Sequence, residues 1–160
     1  MHGDKVNKLT KENFINKFQE MLEKYYLQPL DGTLKKDLKN GFIERSIHGA
    51  QHASRATLWA LIMNKHLQKL LPEYVNSSQE KIANHIGVNV DEVELLILMT
   101  MGCHDAARKG EGHDDWESES AKIGLNILKE LGLQNDHALL FSGAVQFKDN
   151  PDEYYSGPQK

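Results

Sequence analysis

The sequence predicts an all-α fold, one helical bundle of about six helices over residues 1–160, and three observations carry that prediction. Apolar residues recur at three- and four-residue spacing along most of the chain. Residues that start and stop helices bracket those runs, with Thr10 and Asn89 at starts and Gly87 and Gly132 at stops. No segment alternates apolar and polar residues as a half-buried strand requires.

The first helix is expected from Lys11 to Tyr26 behind a Thr10 cap, with Phe14, Phe18, Met21, Leu22 and Tyr25 on one apolar stripe. Pro29 and Asp31-Gly32 then read as a turn. A second helix is expected from about Lys39 to Leu71, broken near Gly41 and ending before Pro72. Successive helical residues advance by about 100°. That puts Arg45, His48, His52, Arg55 and Trp59 on one stripe, which Ile62 continues toward the core.

Ser77-Ser78-Gln79-Glu80 has the pattern of a capping box and predicts a short helix through Ile82, Ala83 and Ile86 to Gly87. Asn89 with Glu92 predicts the next start, for a helix that turns Val93, Leu96, Ile97, Thr100, Met101 and His104 to one side. Trp116-Glu117-Ser118 opens another, with Ala121, Leu125, Leu128 and Leu131 inward. A last helix spans about Asp136 to Phe147, and residues 148–160 read as tail or loop.

Composition narrows the function classes. A net charge of −4 lacks the basic balance of a nucleic-acid binder, so no nucleic-acid partner is expected. The longest apolar run, Leu95 to Met101, is too short to span a bilayer. Met1-His2-Gly3-Asp4 carries no secretory pattern. Cys103 has no second cysteine to pair with, which suits a reducing compartment, so the expected location is cytoplasmic.

The chemistry concentrates in two stretches. His48 and His52 are one helical turn apart, a spacing that suits a shared metal or a cavity in which one imidazole is nucleophile or base. Spacing alone fits equally well with two hydrogen-bonded, half-buried histidines. The neighbour of His48 is Gly49 rather than the glutamate of a zinc-protease helix, and glycine admits a close backbone or ligand. Further along, His104-Asp105 ends an apolar helix and is followed by Arg108 and Glu111. Buried Arg and His need acidic partners or a polar cavity.

Arg45-Ser46-Ile47-His48 together with Met101-Gly102-Cys103-His104-Asp105 resembles the HD-domain phosphohydrolases, whose fold is all-α. The longer stretches His48-Gly49-Ala50-Gln51-His52-Ala53-Ser54-Arg55, Cys103 to Gly112 and Asp115 to Ala121 are similar to the phosphodiesterase domain of the SidE effector family of intracellular bacterial pathogens. The resemblance implies an HD-like bundle that acts on ADP-ribosylated or phosphoribosyl-linked ubiquitin. Such a domain releases AMP and passes phosphoribosyl-ubiquitin to serine or water, or removes it from serine. By residue, it implies His48 and Glu111 as catalytic groups and His52, Arg55, His104, Asp105 and Arg108 as substrate contacts. It implies no cofactor, secretion into the host cytosol, and further domains of a longer protein. The family's second catalytic histidine has no counterpart after Glu111, so the chain is expected to cover the N-terminal half of such a domain.

Two alternatives stay open. A metal-dependent HD phosphohydrolase acting on a nucleotide would hold a divalent ion at His48, His104 and Asp105. A non-catalytic module would bind ubiquitin or a helical partner without chemistry.

Overall fold

The computed structural model describes residues 9–27, 38–39, 42–43, 48–108 and 116–156. The fold is all-α. Helix α1 (Lys11–Met21) is capped by the Thr10 side chain, which accepts from the Asn13 amide at 3.1 Å, and runs into a π-helical turn, Leu22–Tyr26. Then come α2 (Ala50–Leu70), α3 (Pro72–Ile86), α4 (Val90–Cys103), α5 (Glu117–Glu130), α6 (Asn135–Gln146) and α7 (Pro151–Ser156).

Helix α4 is the axle. Its apolar residues bury on several sides, with Val93, Leu96, Met99 and Cys103 fully enclosed, and α1, α2, α3, α5 and α6 all pack on it. The expected Asn89–Glu92 capping box is present, each side chain bonded to the other residue's amide at 2.9 and 2.7 Å. Gly102 lets α1 approach closely, because a side chain there would collide with the Phe18 ring. Beside it, the buried Tyr26 hydroxyl donates to the Gly102 carbonyl at 2.8 Å.

Several boundaries differ from expectation. Leu38–Lys39 pairs antiparallel with Phe42–Ile43, and α2 starts only at Ala50. The intervening Asn40-Gly41 is the dipeptide hairpins favour, and it outweighs the helical pattern. Helix α3 starts at Pro72, not near Ser77, because proline at the first helical position already sets the start. Its end at Gly87 is as expected, in the left-handed region at φ 74°. Residues 151–156 are helical rather than tail, and the Tyr154 hydroxyl ties them to the Leu140 carbonyl at 3.0 Å.

The inward face of α2 is the main correction. Trp59 and Ile62 point outward, 61% and 44% exposed, while Ala53 is fully buried and Ala56, Thr57 and Ala60 are half-buried. Small residues on that face let α2 lie close to α4, and the polar chain Gln68–Gln79–Asn64–Glu94 continues the seam at 3.2, 3.0 and 2.8 Å. The turn expected at Pro29 and Asp31-Gly32 lies outside the described residues.

A histidine–aspartate candidate site

Three helix ends meet at the site. Helix α2 begins there behind Gly49, a buried N-cap whose carbonyl accepts from the Ala53 amide at 3.1 Å. His48 sits in the turn just before it and His52 in its first turn. Helix α4 ends there with His104 as its C-cap, and a tight turn follows: Ala106 donates to the Cys103 carbonyl and Arg108 to the Asp105 carbonyl, each at 3.0 Å. The buried Ser120 of α5 accepts from the Ala107 amide at 3.1 Å and fixes this turn from the other side. The end of α6 supplies Lys148.

Asp105 is the hub. It is 2% exposed, and its Oδ2 lies 2.9 Å from His48 Nδ1, 3.4 Å from His52 Nε2 and 3.3 Å from His104 Nε2. Lys148 Nζ reaches Oδ1 at 3.5 Å. Burial alone would push the Asp105 carboxyl up. The hydrogen bond and charge of His104, the bond from His48 and the Lys148 ammonium outweigh it and hold Asp105 well below the usual carboxylate range.

An ionised carboxylate only accepts, so His48 Nδ1 carries the proton in this pair and its Nε2 is the basic nitrogen. His104 Nδ1 lies 2.6 Å from the Met101 carbonyl and must donate to it. The facing Nε2 atoms of His52 and His104, 3.0 Å apart, then have room for one proton between them. Burial lowers the basicity of His52, the charges of His104, His48 and Arg55 add to that, and Asp105 opposes it. His52 is therefore a weaker base than a free imidazole.

The structure brings together four of the seven residues singled out from sequence: His48, His52, His104 and Asp105. Arg55 is exposed on α2, one turn beyond His52. Arg108 is 5% exposed, with its guanidinium 5.9 Å from the centre of the Trp116 ring. Glu111 lies outside the described residues, as does Arg45. Sequence reasoning misses Lys148 and Ser120. Lys148 falls in what reads as tail, and Ser120 has the pattern of an ordinary serine near a helix start.

Cys103 takes no part. It is fully enclosed, and burial pushes its thiol up to about 12, so it stays protonated.

The profile of the SidE phosphodiesterase (PDE) domain family matches residues 8–160. The chain belongs to that family. Among curated proteins and among solved structures, nothing matches the chain. Membership supports phosphodiester cleavage as the general activity of the domain. Among the described residues, no helix is long and apolar enough to cross a membrane.

Proposed function

We propose that this domain cleaves ADP-ribosylated or phosphoribosyl-linked ubiquitin with His48 as nucleophile. The observation that carries the proposal is the 2.9 Å contact between His48 Nδ1 and Asp105, which puts the shared proton on Nδ1 and makes Nε2 the nitrogen that can attack. In this reading Nε2 forms a bond to the phosphorus on the phosphoribosyl side of the pyrophosphate. The bridging P–O bond breaks, and AMP leaves with a proton drawn from the His52–His104 pair. A serine hydroxyl or water then displaces the histidine, giving its proton back to the same pair. The N-terminus of α2 beside His48 has no side-chain cap among the described residues, and its first-turn amides and dipole are suited to a phosphate.

Glu111 is kept in this proposal as an acid–base carboxylate, and Arg55 and Arg108 as phosphate contacts, on the strength of the family resemblance. Action in the host cytosol as a bacterial effector belongs to the same proposal, and the buried Cys103 thiol is compatible with that compartment. The test is to mix the chain with ADP-ribosylated ubiquitin and measure AMP. His48→Ala should lower the rate about a thousandfold or more. Equal rates with and without His48 would refute the nucleophile.

A second reading rests on a specific observation. His48, His52 and Asp105 offer ligand atoms within 4.8 Å of one another, and two imidazoles with a carboxylate suit a divalent transition metal. His52 here takes the place expected for His104. A bound ion would supply an activated water at neutral pH. Elemental analysis of the purified protein separates the readings: stoichiometric metal that is lost in His52→Ala favours this one.

A further inference from the structure

The His48–Asp105 contact needs the carboxylate to hold one plane. A carboxylate can turn about its Cβ–Cγ bond, and every turn swings Oδ2 away from the imidazoles. Oδ2 here meets three ring nitrogens at 2.9, 3.4 and 3.3 Å, so a small rotation loosens all three contacts together. The opposite oxygen, Oδ1, lies 3.5 Å from Lys148 Nζ.

Lys148 comes from a separate part of the chain. Helix α6 is anchored by the buried Ala138, Phe141 and Val145, and it closes in a turn in which Lys148 donates its amide to the Val145 carbonyl at 3.4 Å. That turn brings the ammonium to the end of α4. Cations are favoured at helix C-termini, so α4 and α6 both stabilise it there. Its side chain is only about a quarter exposed, at 24%, so the Coulomb attraction to Asp105 is poorly screened.

We infer that Lys148 is a positioning residue of this site: from the end of α6 its ammonium holds Oδ1 of Asp105, which keeps Oδ2 aimed at His48 and the His52–His104 pair. The role deepens the proposed function and rests on it for its catalytic consequence. It does not require Lys148 to touch substrate. Its charge and its reach both matter, so arginine can replace it and a neutral side chain of similar length cannot.

Two measurements test this. The first is steady-state AMP release from ADP-ribosylated ubiquitin by wild type, Lys148→Met, Lys148→Gln and Lys148→Arg, each checked for native helicity. The neutral variants should lose about ten- to a hundredfold in kcat with KM within about twofold, and Lys148→Arg should recover most of it. A rise in KM at constant kcat would instead make Lys148 a substrate contact and overturn the inference. The second is 15N NMR of the His48 ring in the free protein, which needs no turnover. Wild type and Lys148→Arg should show a single tautomer with the proton on Nδ1, and Lys148→Met and Lys148→Gln a mixture of the two. An unchanged His48 ring in both neutral variants overturns the inference. Absence of AMP release by wild type would count against the proposed function alone, since the ring measurement still decides the part played by Lys148.

Discussion

Helices α2 and α4 are both rich in large apolar residues and dispose of them in opposite ways. In α4 they point inward on several sides, and Val93, Leu96 and Met99 are fully enclosed. In α2 most of the inward positions go to alanine, threonine and asparagine, with Leu61 half-buried among them, while Leu58, Trp59, Ile62, Met63, Leu67 and Leu70 stay 40–62% exposed. The lesson concerns distance. Small side chains on α2 bring its backbone close to α4, and at that separation the first turn of one helix can present imidazoles to the last turn of the other.

The comparison can be broken at either helix. Its strongest form predicts that Leu96→Ala on α4 costs about 2–5 kcal/mol, because the side chain is fully enclosed and leaves a cavity. Urea denaturation would measure it, and a cost under about 1 kcal/mol would mean that α4 is not the axle of the fold. Next comes Gly102→Ala, expected to cost about 1–3 kcal/mol because the added methyl meets the Phe18 ring. Relief of that cost by a smaller residue at Phe18, in a double-mutant cycle, would locate the strain.

The first turn of α2 gives a pH test. His52 has its pKa lowered from 6.5, so its contribution is intact above about that pH and is lost as pH falls through the lowered value. Asp105, also lowered, gives up its contribution only as pH falls below its unfolded value of 3.8. Stability should therefore decline as pH falls below about 6.5, well before the Asp105 loss begins, and His52→Gln should flatten that decline; an identical slope in the variant would remove His52 as its source. The smallest effect is on the outer face of α2. Trp59→Gln should change stability by no more than about 0.5 kcal/mol, because Trp59 is 61% exposed.

Much of this is legible in the sequence because local chemistry decides it. Thr10, the Asn89–Glu92 box and the glycines at 87 and 132 act within one helical turn, and each appears where its residue type predicts. The histidines and Asp105 are legible as candidates through motifs, and their convergence follows from α2 crossing α4. What is not legible depends on competition or on distance. Ser77 to Glu80 has a capping pattern that Pro72 pre-empts, and Asn40-Gly41 is a hairpin signal masked by a longer periodic run. The apolar stripe through Trp59 and Ile62 points to the wrong face, since periodicity locates a stripe and does not say whether bulky or small residues will meet the neighbour. Lys148 has no motif at all. Its importance exists only once α6 has been laid against α4.

Tyr26 extends that dependence upstream. Its hydroxyl grips the carbonyl of Gly102, two residues before His104, so the amino-terminal arm is fastened to the helix end that carries His104 and Asp105. Shortening the protein from that end would loosen the floor beneath the chemistry, and an assay would score as catalytic damage what began as a missing brace.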